Sequence, residues 1–123
     1  IPFAVPGMSH YLVAAILSAE GGIGVRSGCF CAHPYLLHML QVESEKAVKY
    51  QDEIRRGIRS NLPGLVRVSL GCYNNESEVD HFVTLLKRIV RREYQGDYVQ
   101  DPGSGAYRPK GFNPELERFF KLE

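Results

Sequence analysis

The segment from residue 75 to residue 90 constrains the fold most, because its pattern is that of a capped helix with one apolar face. Asn75 and Glu78 stand three positions apart, which is the spacing of a capping box. Apolar residues then recur at helical spacing, and such a stripe needs a sheet or another helix to cover it. The residues of the stripe are Val79, Phe82, Val83, Leu86, Ile89 and Val90.

Three short apolar runs predict strands that would provide this cover. The last of them alternates apolar and polar residues with a period of two, as a half-buried strand does. The runs lie at residues 1–5, 23–25 and 65–70.

Three more helical segments are predicted before the capped one. Ser9 is a good N-cap for a first helix, which Gly21 and Gly22 would end. A short helical turn is expected over residues 35–40. A longer helix over residues 44–60 would begin at Ser44, with one side formed by Ala47, Gln51, Ile54 and Ile58.

This order of elements predicts the α+β class: about three strands in one small sheet, with helices mainly on one face. Beyond it, residues 95–111 are rich in Gly, Pro, Asp and Tyr and lack periodicity, which predicts an extended loop or arm. Asn113 and Pro114 then favour the start of a short helix over residues 115–121. We therefore divide the chain into a domain over 1–93 and an arm with a terminal helix over 94–123.

Composition limits the partners and the compartment. The chain has 123 residues and a net charge of +1, so we expect neither nucleic acid nor a membrane as partner. The longest apolar stretch, residues 11–17, is too short to span a bilayer. Three cysteines do not make a disulfide framework, which favours a cytoplasmic location. The opening Ile1 suggests a fragment or a processed product, and no secretory signal is visible.

The run Gly28-Cys29-Phe30-Cys31-Ala32-His33-Pro34 places a thiol on a glycine-containing loop after the second predicted strand. A nucleophilic cysteine needs positive charge or a helix N-terminus nearby, and Arg26 and the turn near Pro34 would supply both to Cys31. Gly28 allows a sharp change of chain direction before it. The alternative for Cys31 is an inert packing cysteine.

A metal site is the other alternative for this run, through Cys29, Cys31 and His33. Structural zinc sites use wider spacings and a second distant pair of ligands, and Cys72 has no partner beside it. We therefore predict no metal. Cys29 and Cys31 are also too close in sequence for a structural disulfide.

Arg26, Gly28, Cys31, Ala32 and Pro34 form a pattern similar to the persulfide-cysteine loop of group II cysteine desulfurases and selenocysteine lyases. These enzymes belong to the class V aminotransferases. Downstream, the run Val66-Arg67-Val68-Ser69-Leu70 and the segment 73–80 resemble the family's next strand and helix. The resemblance covers about residues 1–92 and implies the C-terminal small domain of a fold-type-I enzyme that depends on pyridoxal phosphate.

The resemblance implies roles for four residues. Cys31 would take sulfur from L-cysteine as a persulfide and so release alanine, although the residues alone leave open whether Cys29 or Cys31 reacts. Arg67 would bind the substrate carboxylate, the alternative being a surface ion pair. Arg26 and Gly28 would order the loop.

The resemblance also implies what this chain needs from elsewhere. The lysine that holds pyridoxal phosphate in the family lies in the large domain, and no lysine here follows the family's Ser-x-His context. We therefore expect the chain alone to bind no cofactor and to be inactive. Its partners would be the large domain of a homodimeric parent and a sulfur-acceptor protein.

Two departures leave other functions open. Cys29 and Phe30 stand where typical group II desulfurases carry histidines, and the interval between Cys31 and Arg67 is longer than in compact desulfurases. Both features are more like the molybdenum cofactor sulfurases. The alternatives are a sulfurase-like or aminotransferase-like class V protein of other specificity, or a non-catalytic binding module.

Overall fold

A computed structural model describes residues 1–115 together with residues 118 and 120. It confirms the predicted α+β class. Within these residues no helix has the length and apolarity needed to cross a membrane. The elements in chain order are β1 (Pro2–Phe3), α1 (His10–Gly21), β2 (Arg26–Gly28), α2 (His33–Met39), α3 (Ser44–Arg55), β3 (Leu65–Arg67), α4 (Glu76–Val90), β4 (Tyr98–Gln100) and β5 (Tyr107–Pro109).

The main sheet has three antiparallel strands in the order β1-β3-β2. Because β3 is central, Arg67 lies opposite Pro2 on one side and opposite Arg26 on the other. Residues directly opposite each other share a face of the sheet, so both arginines lie on one face.

The core lies between this sheet and helices α1 and α4. Burial of apolar side chains here is the main favourable contribution to folding. The buried cluster consists of Val5, Val13, Ile16, Leu17, Val66, Leu85 and Ile89.

The ends of α1 and α4 form as predicted. Ser9 Oγ accepts a hydrogen bond from the Tyr11 amide at 3.2 Å, and Gly22 ends α1 with a φ of +63°. Asn75 and Glu78 form the complete capping box of α4. The predicted apolar stripe of α4 is partly wrong, because Val83 and Val90 are exposed while Leu85 is buried. The helix is therefore rotated slightly about its axis relative to the prediction.

Several predicted boundaries are wrong. β1 covers only residues 2–3 of the predicted run 1–5, and β3 covers only residues 65–67 of the predicted run 65–70. The second strand is β2, over residues 26–28 and not 23–25, because pairing with β3 and not apolar content decides where the ladder forms. Ile23 and Val25 instead pack against the core on the way to it. The longer helix ends at Arg55, since Gly57 has a φ of +76° and turns the chain away before residue 60.

The predicted apolar side of α3 is also not covered, because no residue of this helix is buried. Ile54 and Ile58 both remain more than a third exposed. This helix therefore contributes little to the core.

Residues 98–109 differ from the predicted extended loop, because β4 and β5 pair as an antiparallel hairpin. One carboxylate oxygen of Glu20 holds the hairpin to α1: it accepts hydrogen bonds from the Gln95 and Gly96 amides and from the Tyr98 hydroxyl. The predicted helix over 115–121 lies largely outside the described residues. The division of the chain at residue 93 stays a prediction.

Candidate functional site

A tight turn over residues 29–32 presents the predicted nucleophile. The Cys29 carbonyl accepts a hydrogen bond from the Ala32 amide at 2.8 Å, which closes the turn. Both central residues are left-handed, Phe30 with a φ of +51° and Cys31 with a φ of +62°. Left-handed backbone costs a non-glycine residue about 1–2 kcal/mol. The residue types did not indicate this strain, because neither central position holds Gly, Asn or Asp.

The flanking elements fix this turn between the sheet and a helix. β2 ends at Gly28, whose φ of +117° is accessible only to glycine without strain, and α2 begins at His33. Cys31 is exposed between these two ends. The turn therefore places the thiol in solvent, at one edge of the domain.

The sheet brings Arg67 to the same turn. Its guanidinium carbon lies 5.1 Å from the centroid of the Phe30 ring, within the range of a cation–π interaction. Arg67 Nε is buried and has no hydrogen-bond partner among the described residues. Arg26 is the register partner of Arg67 across β2 and β3, so two positive charges stand side by side. Like charges in this arrangement repel, and a bound anion would relieve the repulsion.

The second thiol of the turn has a different environment. Cys29 Sγ donates a hydrogen bond to the Pro63 carbonyl oxygen at 3.1 Å. Burial raises the pKa of the Cys29 thiol above its ordinary value, so Cys29 is held protonated. It lines a cleft of about 340 Å³ together with Tyr11, Phe30, His33, Ile54 and Arg59.

His10 is a buried histidine that was not predicted as a site residue. It contacts the segment around Pro63, whose carbonyl accepts the hydrogen bond from Cys29. His10 lies with Nε2 3.1 Å from the Leu62 carbonyl oxygen, and its ring packs 4.0 Å from that of Tyr11. Burial lowers the pKa of His10, so the neutral ring donates from Nε2. A Cβ atom on Gly64 would lie 2.5 Å from this nitrogen, so only glycine fits there. No local pattern could have revealed the contacts of His10 with Leu62 and Gly64, because they join residues more than fifty positions apart.

The structure thus gathers the four predicted residues, Arg26, Gly28, Cys31 and Arg67, around one turn. No group of three or more His, Cys, Asp or Glu side chains among the described residues could hold a metal ion.

The described residues do not fit pyridoxal phosphate. The four described lysines are all exposed, and none lines the clefts beside the turn. The residues that the structure describes therefore offer no enclosed amine for an imine with the cofactor. These lysines are Lys46, Lys49, Lys87 and Lys110.

Comparison with known proteins identifies the family of this chain. The family described as Aminotransferase class-V matches residues 1–82, which is two thirds of the chain. The chain therefore belongs to the class V aminotransferase family, which confirms the resemblance noted in its sequence.

The chain is also similar to a curated protein of this kind. It is named "Probable cysteine desulfurase", comes from Pseudomonas aeruginosa, and is 35% identical over 88 residues. The match covers 72% of this chain and only 16% of the relative, so the chain spans a small part of that protein's length. No solved structure matches.

Proposed function

We propose that this chain carries the sulfur-accepting cysteine of a class V enzyme that removes sulfur from L-cysteine and releases alanine. The observation that carries the proposal is the contact of Arg67 with Phe30, the neighbour of the exposed Cys31. In this proposal the contact keeps the carboxylate-binding group close to the turn that carries the nucleophile. The name of the curated relative supports the same reaction.

In this proposal Arg67 binds the substrate. A planar guanidinium can donate two parallel hydrogen bonds to one carboxylate, which a lysine cannot do. Phe30 and the central position of β3 limit how the guanidinium can turn, so the amino acid would be held in one orientation.

Cys31 then accepts the sulfur. Its thiolate attacks the substrate sulfur, the sulfur–carbon bond of the substrate breaks, and the new sulfur–sulfur bond leaves Cys31 as a persulfide. The remaining three-carbon amino acid takes up a proton and leaves as alanine. A sulfur-acceptor protein would take the sulfur in turn, and we place the reaction in the cytoplasm, where thiols stay reduced.

The reaction also needs an electron sink, and pyridoxal phosphate would supply it when bound elsewhere in the parent protein. Since the residues described here do not fit that cofactor, we infer that a large domain of a homodimeric parent holds it. The chain alone would then be inactive.

The test uses the full-length protein with L-cysteine, followed by mass spectrometry of the Cys31 peptide and assay of alanine. We expect a persulfide on Cys31 and alanine release, both lost in Cys31→Ser. Cys72→Ser, which removes an exposed thiol outside the turn, is the matched control and should keep both.

A second variant separates binding from chemistry. Arg67→Lys keeps the positive charge but loses the planar guanidinium that can donate two parallel hydrogen bonds. KM for L-cysteine should therefore rise about tenfold or more, with a smaller effect on kcat. If the wild type forms neither persulfide nor alanine, the proposal is wrong and the protein is a class V enzyme of other specificity.

A further inference from the structure

The turn that presents Cys31 contains a second thiol in its first position. Neighbouring Cα atoms are about 3.8 Å apart, so residues two apart lie within about 7 Å, and a closed turn brings them nearer. Cysteines joined by a disulfide have Cα atoms about 4.4–6.8 Å apart. Cys29 and Cys31 can therefore meet by a rearrangement of the turn alone, with β2 and α2 unmoved.

The backbone of the turn favours such a rearrangement. Phe30 and Cys31 both hold positive φ angles, and residues held in this way persist only while their surroundings enforce them. Among the described residues, the enforcing contacts include the hydrogen bond from the Ala32 amide, the one from Cys29 Sγ to Pro63, and the packing of Phe30 on Arg67.

We propose that Cys29 is a resolving thiol, which attacks the persulfide on Cys31 when no acceptor takes the sulfur. The inference rests on the proposed function for the origin of that persulfide. Cys29 Sγ attacks Cys31 Sγ, the bond between Cys31 and the outer sulfur breaks, and that sulfur leaves as hydrosulfide with the electron pair. The proton of Cys29 passes to solvent. The Cys29 sulfur is oxidised from the thiol to the disulfide level, the Cys31 sulfur keeps its oxidation level, and the outer sulfur is reduced to hydrosulfide, so no further oxidant is needed.

The surroundings of Cys29 make this step slower than delivery to an acceptor. The thiol donates to Pro63 and is partly buried, and both features keep it protonated and turned away from solvent. Only the thiolate attacks sulfur, so the Pro63 hydrogen bond must open first. Since burial raises the pKa of Cys29, the rate of resolution should increase with pH through the alkaline range.

The resulting disulfide would be easily reduced. A ring closed over a single intervening residue departs from relaxed disulfide geometry, and strain of this kind makes the bond more reducible. The oxidised turn is therefore a resting state that cellular thiols return to the active form.

The experiment loads the sulfur without turnover. The full-length protein is treated with inorganic polysulfide under anaerobic conditions, freed of the reagent, alkylated at intervals and digested with trypsin. Cleavage after Arg26 and Lys46 gives one peptide that contains both thiols of the turn and no other cysteine. We expect its Cys31 persulfide to decay into an internal disulfide, lighter by two hydrogen atoms than the reduced peptide, as sulfide appears.

Two variants decide the outcome. Cys29→Ser keeps a hydrogen-bond donor toward Pro63 and removes the resolving thiol, so the persulfide should last at least about tenfold longer, since attack within one turn has a high effective concentration. Cys72→Ser is the matched control and should decay as the wild type does. Equal decay in the wild type and Cys29→Ser, or a persulfide transferred intact to Cys29, would overturn the inference.

A parallel sample with L-cysteine separates this inference from the proposed function. If polysulfide gives the disulfide but L-cysteine gives no persulfide, the resolving role stands and the desulfurase proposal fails. If L-cysteine gives a persulfide that decays at the same rate without Cys29, the desulfurase proposal stands and the resolving role fails.

Discussion

Two regions of this domain are built differently, and the candidate site lies where they meet. The frame, residues 1–28 and 65–90, contributes every member of the main buried cluster. The connector, residues 29–62, has Leu36 as its one buried residue among those described, and its longest helix buries nothing. Arg67 belongs to the frame and Cys31 to the connector.

This difference between the regions matches what the proposed reaction requires of Arg67 and Cys31. A carboxylate-binding arginine must be held still, and the central strand of the sheet does that. A cysteine that collects sulfur and passes it on must move, and regions with few buried contacts open at the lowest free-energy cost. In the proposed reaction the domain would thus hold the carboxylate-binding arginine fixed beside a nucleophile that is free to move.

The largest expected difference between the regions is in core stability. Leu17→Ala in the frame removes a fully buried side chain and should lower the free energy of unfolding by about 2–5 kcal/mol. Val48→Ala on α3 removes a side chain that is 63% exposed and should change it by no more than about 0.5 kcal/mol. Urea denaturation followed by circular dichroism measures both. Equal losses would mean that the connector is packed as firmly as the frame.

Helix capping gives a smaller contrast. α4 starts with a complete capping box, whereas Glu43 at the start of α3 makes no capping hydrogen bond. Asn75→Ala should therefore cost about 1 kcal/mol of stability. Glu43→Ala loses only an exposed ion pair with Lys46, so it should lower the free energy of unfolding by only about 0.3 kcal/mol.

The same denaturation experiment compares the two capping variants. A loss in Glu43→Ala as large as that in Asn75→Ala would show that α3 depends on its first turn as much as α4 does.

The sequence predicted best those features that are decided locally. The ends of α1 and the start of α4 follow from Ser9, Gly22 and the Asn75–Glu78 pair, each acting within four residues. β2 was misplaced because its position depends on pairing with β3, some forty residues away. The hairpin of β4 and β5 was missed for the same reason, since Glu20 on α1 holds it in place.

The features of the candidate site also fall into those that were predicted and those that were not. Arg26, Gly28, Cys31 and Arg67 were predicted from motifs that resemble those of a known family, because such motifs can be recognised along the chain. The strained turn, the cation–π contact of Phe30 and the support from His10 were not found, because each depends on three-dimensional contacts. The sequence thus predicted candidate site residues, but not the contacts that position them.

The smallest expected effect tests the junction between frame and connector, where His10 of α1 donates to Leu62. Burial lowers the pKa of His10 below its usual 6.5, so the unfolded chain binds a proton more readily than the folded one. The contribution of neutral His10 to the free energy of unfolding is present above pH 6.5 and is lost as the pH falls through the folded-state pKa. Unfolding free energies between about pH 5 and pH 8 should therefore rise with pH in the wild type.

His10→Gln, which can still donate to Leu62, should flatten that rise, whereas His38→Gln, at an exposed position on α2, should leave it unchanged. If His10→Gln keeps the wild-type slope, the histidine does not hold the two regions together through its neutral form. The connector would then be joined to the frame mainly through other contacts, among them the packing of Phe30 on Arg67.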